Sequence, residues 1–455
     1  MKKYSFLLIF SLLFVNCQLF SQLDSLGLQN IINKKPDTIV KKDGDIYLKK
    51  DFTSYLTNFS SFTDTSKVLD EKERMWLSYL NQPHPSFKTI QNYFKRYAEQ
   101  YDVPKELMQA IAYVETNFTQ LGPSIDNGWG IMHLVDNDYS NTLKKAAELI
   151  NMPVEELQDS ARFNIQGAAA LLAYYGKQAE EYPQNIEEWF SPAKSFSGLI
   201  NDRLKELQAK NYYEILQNGV EGKTLWGETY KLPAHPDIDV SSELKYDFNK
   251  GGKAVDYPEA IEELTTCNFS SRNGTNVDTY VNHYIGTGTV AGAISWFKNC
   301  DADVSAHFTI AEDGTIYQSV RTANKAWHCG ATGYPNNERS LGVEHDATVT
   351  HPERWNSPDM LEASANLANY MCNMYNIKKE RSYGPEGICG HNDMPGTSTS
   401  CPGPLPWDDW FAYLYDENNF IPEPLSPENM AMSVESPVRF EWDSEVEGSS
   451  FRIQV

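Results

Sequence analysis

Hydrophobic residues recur with one period over the first half of this chain and with another over the second, so no single layered core can serve both. From about Lys72 to Gly219, Phe94, Tyr97 and Tyr101, then Leu107, Ile111 and Val114, return every three or four residues, the spacing of one helix face. Asn164 to Tyr175 reads as a further, alanine-rich helix. Beyond residue 262 the pattern becomes mixed. Thr279–Tyr284 and Ser305–Ile310 alternate as strands do, and Ile316–Val320 follows an Asp313-Gly314 turn as the second arm of a hairpin. Gly342–His345 reads as another strand, and Met360–Tyr375 as an amphipathic helix ending before Asn376. Between the halves, Pro233, Pro236, Gly251, Gly252 and Pro258 punctuate a linker. A chain of 455 residues is long enough for two or three cores. The expectation is an all-α domain over residues 76–220, a linker over 221–262, and an α/β domain with a mixed central sheet over 263–418.

Both ends carry other signals. Lys2 and Lys3 precede an apolar run from Phe6 to Val15, too short to span a bilayer but suited to an export signal. Phe14-Val15-Asn16 lacks the small residue that a lipoprotein cleavage site prefers before Cys17. Cleavage near Ser21-Gln22 is therefore expected, with lipid anchoring at Cys17 as the alternative. That gives a signal peptide over 1–21, a leader over 22–75, and a mature chain without a transmembrane segment, located in the periplasm, in the cell envelope or outside the cell. At the other end, residues 437–442 and 450–455 alternate as strands. A lone hairpin is unstable in water, so residues 419–455 read as the start of a truncated β-sandwich module. The net charge of −23 argues against a nucleic-acid partner, which needs a basic face. Apart from Cys17, all six cysteines follow residue 260. In an oxidising compartment this reads as disulfides within one domain, their pairing left open.

Six of the nine histidines fall between residues 263 and 418, but their spacing alone selects no ligand set. Ordered motifs do more. Val281-Asn282-His283-Tyr284 is followed by Ser305-Ala306-His307-Phe308, Asp313-Gly314-Thr315-Ile316-Tyr317-Gln318 and Ala326-Trp327-His328. Then come Leu341-Gly342-Val343-Glu344 and Gly390-His391-Asn392-Asp393, leading to Cys401-Pro402-Gly403. Over roughly 263–415 this resembles the zinc amidase family of phage-lysozyme-type amidases, peptidoglycan recognition proteins and anhydro-muropeptide amidases.

The resemblance implies that His283, His391 and Cys401 bind Zn2+, leaving a fourth position for water. The phage and recognition branches place a proton-transferring Tyr where this chain has Ala306. The anhydro-muropeptide branch also has Ala there and uses a Glu on the Gly-Val/Ile-Glu strand, which here is Glu344. Thr399 stands where relatives carry Lys or Thr near the substrate oxyanion, and reads as a helper. His307 and His328 are candidate substrate contacts or structural residues; His345 and His351 read as surface residues.

In the first half, Ala112-Tyr113-Val114-Glu115-Thr116-Asn117-Phe118, Ser124, Gly130-Ile131-Met132-His133-Leu134 and Asn164-Ile165-Gln166-Gly167-Ala168 resemble lysozyme-like lytic transglycosylases. Glu115 stands at the catalytic acid, a carboxyl that such enzymes hold protonated in an apolar pocket. His133 replaces a Gln, and Ser195-Phe196 replaces an expected Tyr-Asn pair. A glycan-binding domain without chemistry and a weakly active one with Glu115 at the mouth of a cleft therefore both stay open. The combined expectation is a peptidoglycan hydrolase that cuts the bond between N-acetylmuramic acid and L-alanine of the stem peptide. The alternatives are a non-catalytic recognition module, or a lytic transglycosylase whose amidase-like half only binds.

Overall fold

The computed structural model describes residues 34–41, 44–56, 69–248, 255–330, 336–384 and 386–416, together with the backbone of 424–426 and 441–442. The expected signal peptide, including Cys17, lies outside these residues. So does most of the expected sandwich, apart from Glu441–Trp442, which pairs antiparallel with Pro424–Ser426. Among the described residues no helix is long and apolar enough to cross a membrane.

The segment read as a leader is built into the fold. Strands β1 (Asp37–Val40) and β2 (Ile46–Lys49) form a hairpin, and helix α1 (Glu71–Leu80) follows. Asp70 accepts from the Glu73 amide while the Glu73 side chain accepts from the Asp70 amide, a reciprocal cap that starts the helix where the sequence has Asp-x-x-Glu.

Next come α2 (Phe87–Tyr101), α3 (Lys105–Thr116), α4 (Thr142–Ile150), α5 (Val154–Asp159), α6 (Ala161–Gly176), α7 (Phe190–Phe196) and α8 (Asp202–Asn218). The periodic residues Phe94, Tyr97, Leu107, Ile111 and Val114 meet in one core. Asp102 and Asn117 end α2 and α3 in the left-handed conformation, which Asp and Asn tolerate better than bulkier residues. The region read as a linker contains a hairpin of its own, β3 (Val220–Lys223) with β4 (Thr229–Leu232).

The α/β half contains β5 (Ile261–Glu262), β6 (Phe269–Ser271), β7 (Thr279–Asn282), α9 (Val290–Phe297), β8 (Phe308–Ile310), β9 (Ile316–Gln318), β10 (Asn324–Ala326), β11 (Ser340–His345), α10 (Pro358–Tyr375), β12 (Gly387–Gly390) and α11 (Trp407–Leu414). Six of the strands form one mixed sheet in the order β12-β7-β11-β8-β9-β5. β12, β7, β11 and β8 run parallel, and the expected hairpin supplies the antiparallel step from β8 to β9. Every residue of β7, β11 and β12 is buried, as suits parallel strands covered on both faces. α10 and α11 share a core with one face, and α9 and α8 with the other.

The halves are not joined only by a tether. Leu48, Phe52, Tyr55 and Trp76 from the N-terminal segment, and Leu225 and Trp226 from the β3–β4 hairpin, belong to the same core cluster as Tyr280, Val343 and Trp410. Cys267 and Cys300 form a disulfide, while Cys329, Cys372, Cys389 and Cys401 are buried and take no part in it.

Candidate active site

Sheet register assembles the site. Asn282 lies beside Val343 of β11 and Gly390 of β12, so the next residues along the three strands are His283, Glu344 and His391. They emerge together at the carboxyl ends of parallel strands, where open α/β sheets commonly carry their sites. Cys401 arrives from the loop before α11. One ligand atom each from His283, His391 and Cys401 lies within 4.8 Å of the others, and Cys401 Sγ is 3.6 Å from His283 Nδ1. An ion about 2.1 Å from nitrogen and about 2.3 Å from sulfur, with tetrahedral angles, holds N and S roughly 3.6 Å apart. The donor set therefore fits zinc.

Hydrogen bonds fix which nitrogen each imidazole offers. The Ser340 hydroxyl donates to the Asn336 carbonyl at 2.5 Å, so Ser340 Oγ accepts from His328 Nε2 at 3.0 Å. His328 Nδ1 is then the acceptor for His283 Nε2 at 2.9 Å, and the lone pair of His283 is left on Nδ1, facing Cys401. His391 donates through Nε2 to the Cys329 carbonyl at 3.1 Å, which puts its lone pair on Nδ1. Such partners orient metal-ligating imidazoles. Burial, reinforced for His283 by His391 and His328, holds His283 and His328 neutral, the state a ligand requires. Gly342 is needed here: a Cβ on it would lie 2.3 Å from His328 Cγ.

Glu344 Oε1 is 3.9 Å from His283 Nδ1, and buried Oε2 has no hydrogen-bond partner. Burial raises its carboxyl to about 8. Burial, then Glu344, pushes the Cys401 thiol far above its ordinary range. Two acids made reluctant to ionise, side by side with an orphaned oxygen, form a pocket that a cation would suit.

For His307 and His328 the structure favours the structural alternative, and Thr399, His345 and His351 are placed differently from the sequence reading. His307 is fully buried. Its Nδ1 accepts from the Gly342 amide at 3.0 Å and its Nε2 reaches the Asn324 carbonyl at 3.1 Å, so it pins β8 to β11 rather than facing substrate. His328 orients His283. The Thr399 hydroxyl donates to Glu73 Oε1 at 2.9 Å and accepts from the Cys401 amide at 3.1 Å; its hydrogen is committed, which leaves none for an oxyanion. His345 and His351 are buried, bonded to the His283 and Tyr113 carbonyls, not on the surface.

Glu115 is not at a cleft mouth but sealed, 4% exposed. It accepts from Gln208 Nε2 at 2.8 Å and from the Tyr212 hydroxyl, and lies 3.2 Å from His133 Nδ1. Thr289, which caps α9, donates to Gln208 at 3.0 Å. A Cβ on Gly292 would come within 3.3 Å of Asp126, the other carboxylate on His133. The α/β half thus lies directly over the acid. Sequence reasoning missed Ser340, Asn336 and Glu73, whose roles depend on partners distant along the chain.

Residues 273–404 match the family model for N-acetylmuramoyl-L-alanine amidase. N-acetylmuramoyl-L-alanine amidase A of Achromobacter lyticus is 38% identical over 121 residues, which is 26% of this chain and 64% of that protein. The 1,6-anhydro-N-acetylmuramyl-L-alanine amidase of Citrobacter freundii is 35% identical over 94 residues, 18% of this chain and 50% of that one. The chain thus spans less than two thirds of the length of either curated relative. A crystal structure of a selenomethionine derivative of AmpD is 21% identical, with a TM-score of 0.29 over 35% of this chain and 96% of its own. The stretch that brings His283, Glu344, His391 and Cys401 together is thus the part of the chain that is similar to N-acetylmuramoyl-L-alanine amidases.

Proposed function

We propose that this protein is an exported, zinc-dependent N-acetylmuramoyl-L-alanine amidase that cleaves peptidoglycan between N-acetylmuramic acid and the L-alanine of the stem peptide. The observation that carries this reading is the convergence of two imidazoles and a buried carboxyl at adjacent strand ends with a thiol from the following loop. The names of the relatives support the bond cut. The Lys2-Lys3 and Phe6–Val15 pattern and the Cys267–Cys300 disulfide support an oxidising, extracytoplasmic setting.

Zinc held by His283 Nδ1, His391 Nδ1 and Cys401 Sγ would polarise the scissile carbonyl and acidify a water. The chain supplies the rest. His328 and Ser340 keep the His283 lone pair aimed at the ion. Glu344 takes a proton from the attacking water and returns it to the departing alanine nitrogen, a shuttle that Ala306 cannot perform. Burial raises its proton affinity, which favours the protonated form it must adopt between the two transfers.

The helical half serves this reading as scaffold and glycan-facing surface, since Glu115 lacks the access that glycosidic protonation requires. Mass spectrometry of peptidoglycan digested by the whole chain separates the readings. Free stem peptides support the amidase, anhydro-muropeptides a lytic transglycosylase, and no products a recognition module.

A further inference from the structure

Glu73 lies outside the residues matched to the amidase family, yet it touches the loop that carries Cys401. Its two carboxylate oxygens do different work. Oε2 accepts from the Asp70 amide at 3.0 Å and closes the cap of α1. Oε1 accepts from the Thr399 hydroxyl at 2.9 Å, the Ser400 amide at 2.6 Å and the Ser400 hydroxyl at 2.6 Å. Glu73 is 1% exposed, so a carboxylate has been taken from water to hold three consecutive donors of one short loop. A buried carboxylate is costly unless its oxygens are satisfied, and all four contacts are short enough to count.

Those donors lead directly to the candidate ligand. Thr399 Oγ1 also accepts from the Cys401 amide, and Ser400 Oγ lies 3.1 Å from the Tyr284 hydroxyl. The Tyr284 amide in turn points at Cys401 Sγ from 3.4 Å. The same helix packs Trp76 against Gly286, where a Cβ would come within 2.9 Å of the indole. Helix α1 thus presses on both segments that deliver ligands: the turn after His283 and the loop before Cys401.

We infer that Glu73 is a positioning residue for the metal site, supplied from the N-terminal segment to fix Cys401 against His283. This rests on the zinc amidase reading and deepens it. Without Oε1 the Thr399 and Ser400 donors lose their acceptor, and the sulfur loses the backbone placement that sets its 3.6 Å separation from His283 Nδ1. Outer partners of metal ligands typically carry 10- to 100-fold in affinity or turnover.

The test uses the full chain and three variants. Glu73→Ala removes both sets of bonds, Glu73→Gln keeps the shape but not the charge, and Asp70→Ala breaks the cap while leaving Oε1 in place. Zinc affinity is measured by chelator competition, the cobalt-substituted protein by its thiolate-to-metal absorption, and kcat and KM on a soluble muropeptide. Glu73→Ala is expected to weaken zinc by about 10- to 100-fold, to perturb the cobalt band and to lower kcat with KM little changed, with Glu73→Gln in between. Asp70→Ala should lower the melting temperature while zinc affinity and kcat stay at wild-type values. Wild-type zinc affinity and kcat in Glu73→Ala would overturn the inference. Where Glu73→Ala does not fold, Thr399→Val, which removes the hydroxyl between Glu73 and the Cys401 amide, is expected to weaken zinc likewise, and wild-type values there would overturn it. A wild-type chain that neither takes zinc nor releases stem peptide overturns the amidase reading itself, a separate and distinguishable failure.

Discussion

Glu344 and Cys401 are neighbours that a single substitution in each should separate by role. Glu344→Gln preserves size and one hydrogen-bonding oxygen but cannot accept a proton. Zinc content should stay at wild-type stoichiometry while turnover falls by roughly two to four powers of ten. Cys401→Ser should instead lose the metal, because a neutral hydroxyl is a poor zinc ligand; elemental analysis after dialysis distinguishes the two. His328 permits a further prediction. If it holds the His283 tautomer through Nδ1, His328→Ala should weaken zinc about 10- to 100-fold even though it donates nothing to the ion; unchanged zinc affinity would show that the chain from Asn336 through Ser340 is ornamental. At this scale short ordered motifs made legible which residues the fold brings together, as for His283, Glu344, His391 and Cys401. The sequence was misleading for Thr399 and Glu115, whose hydrogen-bonding capacity is consumed by Glu73 and by Gln208 with Tyr212, and it left His307, which accepts from the Gly342 amide, open between substrate contact and structural residue. Nothing local in a sequence says which polar atoms are already engaged.

Between elements, the joint formed by α3, α8 and the start of α9 holds a buried charge cluster whose pH response can be worked out. Burial alone would push the His133 imidazole down, but the Asp126 and Glu115 carboxylates outweigh it and hold His133 at about 9. Lys72 of α1 also faces Asp126, and Tyr212 of α8 faces Glu115. A folded-state value above the unfolded one means that the stabilisation is complete below about pH 6.5 and is lost as pH rises through about 9. Chemical denaturation of the wild type should therefore show stability falling between pH 7 and pH 9 by an amount on the order of 2–3 kcal/mol relative to His133→Gln, which has no proton to lose. Parallel profiles would mean that His133 is neutral in the fold. The periodic elements were readable because their signal is local: the α3 face through Leu107, Ile111 and Val114, the Asp313-Gly314 hairpin, and the helix stopping at Asn376. The β1–β2 and β3–β4 hairpins lie in stretches whose sequence has the character of a leader and a linker. Four-residue strands such as Asp37–Val40, exposed throughout, carry too little alternation to register, and this one is held by its pairing with β2.

Among the described residues, the N-terminal segment and the β3–β4 hairpin pack into the same core cluster as the α/β half, and this has a measurable consequence. Phe52, Tyr55, Leu56, Trp76, Leu80, Leu225 and Trp226 are all buried within the core cluster that contains the sheet residues Tyr280, Phe308 and Val343. Fully burying one large apolar side chain is worth about 1.5–3 kcal/mol, so removing these seven takes away on the order of 10 kcal/mol of favourable burial. That is comparable to the entire stability of an ordinary domain, about 5–15 kcal/mol. Polar ties run the same way: the Tyr55 hydroxyl donates to the Val349 carbonyl at 2.8 Å, Asn117 Nδ2 to the Thr350 carbonyl at 3.0 Å, and His351 Nε2 bonds the Tyr113 carbonyl at 2.8 Å. A fragment of residues 263–416, which starts where the sequence marks the α/β domain, would expose that surface and lose Glu73 as well. It should be recovered as aggregate or as a partly ordered species with little zinc, whereas residues 34–416 should melt in one calorimetric transition that includes both halves. Residues 72–219 alone should release no anhydro-muropeptides, because uncovering Glu115 leaves the acid still paired with His133. Two resolved transitions, or a 263–416 fragment with full zinc occupancy and wild-type kcat, would return the halves to independence and reduce the shared core to a contact of convenience.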